Sequence, residues 1–184
     1  RWIAPVLSFT AEEIWKLVPG EREDSVFMAT AYEGFPGFEE AQHDEKFWEL
    51  AADLANSTKE AIEPKRADKV VGGSLDAVVH VLPKAQPGDA EFDAVRNMLD
   101  EFGDELRFLL IVSGAQIHDS EPAELPADRY ETDRWTIWIA PSGEQKCVRC
   151  WHKRPDVGSD PEHPEICGRC VENVIGEGET RRVA

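Results

Sequence analysis

Four cysteines carry the clearest chemistry in this chain of 184 residues: Cys147, Cys150, Cys167 and Cys170, in the pattern C-x2-C, sixteen residues, C-x2-C. Two residues between cysteines let one tight turn aim both sulfurs at a single metal, and two such turns complete a tetrahedral set of thiolates. A completed set leaves no position for water or substrate, so the spacing predicts one structural zinc ion. Gly168 is expected to serve the sharp turn of the second knuckle. Other arrangements of these residues have to be weighed. Two disulfides would suit a secreted chain, but no signal peptide opens the sequence. A redox C-x-x-C pair needs a thioredoxin-like βαβ setting, which residues 142–184 do not offer. His152 or His163 could replace one sulfur as ligand. Free thiols acting as ligands imply a reducing compartment, so a cytoplasmic location is expected.

Cations flank these ligands. Lys146, Arg149, Lys153 and Arg154 share the stretch 146–154 with no acid, although the whole chain carries a net charge of −17. Such an excess of acid argues against general nucleic-acid affinity and leaves only a local basic patch for a phosphate backbone. The bland alternative is a solvated loop. Trp151 lies inside this run, an aromatic between cations that suits base stacking with phosphate contact. It could equally pack on a small metal module that is short of apolar residues. His43, His80 and His118 stand alone and receive no role. Acid pairs such as Glu12-Glu13 read as capping or solvated groups.

The elements that must position these residues follow from periodicity. Thr10-Ala11-Glu12-Glu13 has the form of a capping box, which predicts a helical turn carrying Ile14, Trp15, Leu17 and Val18 and ending at Pro19-Gly20. Residues 25–38 read as extended and loop-like. Phe47, Leu50, Ala51, Leu54, Thr58, Ala61 and Ile62 recur at three and four, which predicts a long helix over 39–62, ended or kinked by Pro64. Strands are expected at 75–82, 106–112 and 134–140, a helix at 90–102, and a loop over 119–133. The expected fold class is α+β. A helical bundle segment (1–71) leads into a small α/β unit (72–142) and a four-cysteine zinc module (143–184). No apolar run reaches the roughly 18 residues of a membrane span. Arg1 is followed at once by an apolar stretch, so the chain reads as a C-terminal fragment of something larger.

Three stretches resemble the C-terminal end of bacterial-type isoleucyl-tRNA synthetases. Ala4-Pro5-Val6-Leu7-Ser8-Phe9-Thr10-Ala11-Glu12-Glu13-Ile14-Trp15 is similar to a helix shared by the anticodon-binding bundles of several class I synthetases. Arg66-Ala67-Asp68-Lys69 with Gly72-Gly73-Ser74-Leu75-Asp76-Ala77 resembles the segment that follows the bundle. Lys146-Cys147-Val148-Arg149-Cys150-Trp151-His152 with Glu165-Ile166-Cys167-Gly168-Arg169-Cys170-Val171 resembles the zinc-binding tail of the isoleucine enzyme, which its valyl and leucyl relatives lack. The resemblance implies a monomeric ligase part that holds the anticodon stem-loop of isoleucine tRNA. Charging would fall to a catalytic, ATP-binding domain of the same enzyme, whose H-I-G-H-like and K-M-S-K-S-like signatures are absent here. The chain would then be non-catalytic. Lys146, Arg149, Trp151, Lys153, Arg154 and Arg169 would touch tRNA from the tail, and Lys59, Lys65, Arg66 and Lys69 from the bundle. The alternative for the second group is that they are ordinary solvated helix-end cations. Two readings compete with this one: a zinc-ribbon adaptor that binds protein, and a redox dithiol protein.

Overall fold

The valine-rich alternation after Gly72-Gly73 forms β1 (Ala77–Pro83), whose alternate residues Ala77, Val79 and Val81 are fully buried. In this computed structural model, which describes residues 1–34, 42–125 and 128–183, β1 is an inner strand of a four-stranded sheet in the order β2-β1-β4-β3. The other strands are β2 (Gly114–Ile117), β3 (Tyr130–Glu131) and β4 (Trp135–Pro141). β1 runs parallel to β2, with Val78 opposite Gly114, and antiparallel to β4, from Ala77 opposite Pro141 to Pro83 opposite Trp135. A parallel pair needs a crossover, and α3 (Phe92–Phe102) lies in it. Its buried Val95, Met98, Leu99 and Phe102 share one core with Leu50, Leu54 and Ile62 of α2 (Glu45–Ala67) and with the inner face of the sheet. Trp135 ties helix to sheet, because its buried indole N–H donates to Asp53 Oδ2 at 2.7 Å.

The chain forms two compact units, 1–44 and 45–184. The first contains α1 (Ser8–Leu17) and a 3-10 turn at Val26–Met28 around a small core of Ala4, Ala11, Trp15 and Val26. The capping box does not form. The helix starts at Ser8, so Thr10 and Glu13 both lie inside it; the neighbouring Glu12 accepts from the Ser25 hydroxyl and the Val26 N–H. The first residues expected in the long helix, 39–41, lie outside the described residues, and the helix itself begins at Glu45.

Pro64 neither ends nor visibly interrupts α2, which runs on to Ala67. The ring removes one hydrogen bond near the last turn, where the carbonyl it would have used belongs to exposed Glu60 and stays open to water. The helix is closed instead by Lys69, two residues past Ala67, in a left-handed conformation (φ 58), with the Val70 N–H donating to the Lys65 carbonyl.

Residues 106–112 are the other correction. Leu106–Leu109 forms a helical turn, α4, and the strand starts only at Gly114. A short continuous apolar run carries no period, so a buried helical turn and a buried strand look alike in sequence. Tyr130–Glu131 pairs with β4 inside what was expected to be loop. No described helix is long and apolar enough to cross a membrane.

Candidate metal centre and the cationic surface beside it

Residues 145–154 fold back on themselves as a narrow loop. The Cys147 N–H donates to the His152 carbonyl at 2.9 Å, the Trp151 N–H to the Cys147 carbonyl at 2.9 Å, and the Arg154 N–H to the Gln145 carbonyl at 2.9 Å. This turn carries Cys147 and Cys150 at its tip. The second pair sits at the start of α5 (Gly168–Ile175), with Cys167 just before the helix and Cys170 in its first turn. Gly168 therefore serves differently from the expectation: it opens a helix rather than a sharp turn. Its N–H donates to Asp156 Oδ2 at 3.0 Å, and a Cβ at this position would meet that oxygen at 3.0 Å.

The four sulfurs lie within 4.8 Å of one another, and the Cys147–Cys170 and Cys150–Cys167 pairs are 3.7 Å apart. A tetrahedron with metal–sulfur bonds of about 2.3 Å has sulfur–sulfur edges of about 3.8 Å, so the residues fit a zinc ion. All four cysteines are free rather than disulfide-bonded. Among the described residues the group that could hold a metal consists of these four sulfurs, without His152 or His163. Burial alone would push the Cys147 thiol up. The backbone N–H groups of Cys150, Cys167 and Arg149 outweigh it and hold the thiol down to about 6. Burial pushes Cys150 and Cys167 up. A dry cluster of this kind reaches its fully deprotonated state when a cation supplies the compensating charge. Cys147, Cys167 and Cys170 are themselves the buried core of the module.

The module is fastened to the sheet by polar contacts. The Lys153 N–H donates to Ser113 Oγ at 2.6 Å, and the Lys153 ammonium pairs with Asp76 at 3.5 Å. Arg154 pairs with Asp104 and Asp156, each at 3.7 Å. After α5 the chain returns, and the N–H groups of Arg182 and Val183 donate to the Glu105 carboxylate. Between these ties Phe108 is surrounded by guanidinium groups, with Arg107 and Arg181 at 4.3 Å from its ring centre and Arg169 at 4.7 Å. Arg107 is buried. That burial, with the charges of Arg154 and Arg169 beside it, pushes its pKa down to about 10, so it is charged at neutral pH.

The cations named from sequence thus separate. Lys153 faces Asp76 and Arg154 faces Asp104, acids from distant positions in the chain, and Arg154 also faces its near neighbour Asp156. Arg169 pairs with Glu179 at 2.7 Å, and Arg149 turns a guanidinium N–H toward Cys170 Sγ at 3.6 Å. Lys146 stays exposed, with its ammonium 5.9 Å from the centre of the Trp151 ring. Trp151 does not pack on the module. It is 60% exposed and sits in a left-handed conformation (φ 67), one that bulky residues rarely adopt. In α2, Lys65 pairs with Asp128 and Arg66 with Glu63, whereas Lys59 and, just past the helix, Lys69 are exposed. Sequence reasoning passed over one pair. His80 and His118, 38 positions apart, meet across the parallel strands with Nδ1 and Nε2 3.0 Å apart. Burial, and then the charge of His118, lowers the His80 pKa.

Residues 144–173 match a family model described as a zinc finger found in FPG and IleRS. Along its whole length the chain is 45% identical over 190 residues to an isoleucine–tRNA ligase of Alkalilimnicola ehrlichii and 46% identical over 187 residues to one of Azotobacter vinelandii. A third such ligase, from Methylococcus capsulatus, is 44% identical over 98% of the chain. The chain spans 19%, 19% and 18% of these three relatives.

Proposed function

We propose, from this full-length kinship with a segment of isoleucine–tRNA ligases, that the chain is the part of such a ligase that holds the anticodon stem-loop of isoleucine tRNA. It positions the tRNA for charging elsewhere in the same enzyme and does no chemistry itself. The observation that carries the reading is Trp151. A metal-held turn presents an indole to solvent in a strained backbone conformation, with the Lys146 ammonium beside it. Backbone strain of this kind collects at ligand-binding positions, and an exposed aromatic next to a cation suits an unstacked loop base and its phosphate. Of the tail cations that the sequence singles out, Lys146 and Arg149 are the exposed ones, so they are assigned the phosphate contacts. Lys153 and Arg154 act through tying the module to Asp76 and Asp104, and Arg169 through its pair with Glu179 and its contact with the Phe108 ring. Zinc is structural in this scheme: it fixes the turn on which Trp151 sits. ATP is bound by the catalytic part of the enzyme.

Residues 1–44 expose Val6, Phe9 and Leu17. Such apolar surface suits contact with other domains of the same monomeric, cytoplasmic enzyme. The tripartite division at 71/72 and 142/143 is retained as a division of roles, with tRNA contact from the first and third parts.

Filter binding of the zinc-loaded chain to isoleucine tRNA and to a non-cognate tRNA tests the reading. Preferential binding that weakens on Trp151→Ala at full zinc content is the expected result. Equal binding to both tRNAs, unaffected by that substitution, would leave the zinc-ribbon adaptor as the better account.

A further inference from the structure

A cleft of about 490 Å3 opens between the C-terminal half of α2 and the α4–β2 turn. That volume falls within the range of roughly 300–1,000 Å3 found for small-molecule sites. Its floor is apolar, with buried Ile62 and Leu110, and Ile111 stands at its edge. Asn56, Lys59 and Ser74 line it with polar groups. None of these three side chains has a hydrogen-bond or ion-pair partner among the described residues. The absence is informative for Lys59. Its natural helical partner four residues on, Glu63, is taken by Arg66 at 2.8 Å, so the Lys59 ammonium is left over in a chain of net charge −17.

Ile111 adds a second, independent observation. It is β-branched, yet it adopts a left-handed conformation (φ 54) and leaves its side chain 62% exposed. The Val112 N–H donates to the Arg107 carbonyl at 2.9 Å, so the left-handed residue closes α4 as Lys69 closes α2, and the exposed Ile111 side chain gives the cleft an apolar edge. Two residues on, the Ser113 hydroxyl donates to the Leu75 carbonyl at 2.5 Å and accepts the Lys153 N–H at 2.6 Å. One hydroxyl therefore joins Leu75, the chain neighbour of Ser74 in the cleft lining, to the turn that carries Trp151.

We propose that this cleft takes one unstacked base of the bound RNA together with its phosphate. The inference rests on the tRNA-binding reading above and extends it to a second contact. A base needs apolar surface against its faces, which Ile62, Leu110 and Ile111 supply. It needs both donors and an acceptor along its edge, which the Asn56 amide offers, with the Ser74 hydroxyl as a further partner. Its phosphate needs a cation that is not already neutralised, which is Lys59. The carboxylate of Glu63 in the lining is balanced by Arg66.

The test uses the zinc-loaded chain and anticodon stem-loop RNAs that carry 2-aminopurine, or each of the four natural bases, at one loop position at a time. Asn56→Ala and Lys59→Glu alter exposed side chains without internal partners, so folding is preserved. One loop position is expected to show unstacking fluorescence that Asn56→Ala reduces, with RNA affinity falling about two- to tenfold. Lys59→Glu would weaken any RNA, so base preference is the discriminating readout. Asn56→Asp, which keeps only acceptors, should shift preference at that position toward bases with a donor edge. If the RNA binds in a Trp151-dependent way while Asn56→Ala and Asn56→Asp leave affinity and base preference unchanged, the cleft is overturned and the tRNA reading stands. If the wild-type chain binds no RNA even at low salt, both fall.

Discussion

The α/β layer and the zinc module lie within one compact unit but are held together by different physics. The layer has a continuous apolar core in which α2, α3 and the two inner strands β1 and β4 bury side chains such as Leu54, Met98 and Trp135 against one another. The module has three buried cysteines, with Val157 and Ile166 packed beside them, and little else apolar inside. One region derives its cohesion from removing apolar surface from water, the other from metal–sulfur bonds. A region built in the second way need not spend its aromatic residue on packing. Trp151 is free to face solvent because four thiolates do the work a core would otherwise do.

The largest expected effect breaks the comparison at its root. Removing the metal by chelation, or by Cys170→Ser, should unfold residues from about 143 onward, because structural zinc contributes on the order of 10 kcal/mol or more to such modules. Helix α2 and the sheet should survive. Amide exchange that stays slow throughout the tail after chelation would show that polar ties to the sheet, not metal, hold the module. The converse experiment is Leu54→Ala in α2, a position with no exposed surface. It should cost about 2–5 kcal/mol of unfolding free energy. Zinc content measured under native conditions should stay at one ion per chain.

Trp151 sharpens the comparison. If its ring is absent from any core, Trp151→Gly should not destabilise the module and should relieve the left-handed backbone, a gain of about 1 kcal/mol. RNA binding should weaken by about 1–3 kcal/mol. Loss of zinc affinity in this variant would mean the ring packs after all. Reversing Lys153 or Arg154 to glutamate is a different experiment, because each pairs with acids of the sheet side or of its own module. Those variants should loosen the module before they touch RNA. By contrast Lys146→Glu should lower the salt dependence of tRNA binding by about one charge's worth, a slope near 0.7 on single strands.

The smallest effect concerns the layer alone. Hydrogen bonds from Arg134, and then from Lys46, hold the Glu91 carboxyl down to about 2, at the start of α3. A depressed carboxyl contributes stability that is present above its unfolded value, near 4.5, and is lost as pH falls toward about 2. The group is exposed, so the contribution is small. A carboxyl-resolved NMR titration should show a Glu91 midpoint near 2 that returns toward 4.5 in Arg134→Ala. An ordinary midpoint in the wild-type chain would remove this tie between α2, α3 and β4.

Much of the layer was legible in the sequence. The three-and-four spacing of Phe47, Leu50, Leu54 and Ile62, the alternation in β1, and that of Trp135, Ile137 and Ile139 all mark faces that one core could bury. What failed were local signals that a competing contact overrode. α1 began at Ser8, two residues before Thr10, so the box between Thr10 and Glu13 had no helix start to cap. The run 106–112 had no period to read. Pro64 fell near a helix end that could tolerate it.

By itself the sequence determined the metal ligands of this protein. Two residues between paired cysteines is a constraint local enough that one turn of chain satisfies it, and few other arrangements of those sulfurs are open. It also determined that cations gather near the ligands. Which of those cations remain available was decided only by tertiary structure. The acids that pair with Lys153 and Arg154, Asp76 and Asp104, are remote in the chain and arrive through strand pairing and the turn after α3. The same long-range folding brought Asn56, Ser74 and Ile111 to one cleft and His80 to His118. A side chain's partner across such distances depends on which strands pair and in what register, and neither is encoded in any one stretch of sequence.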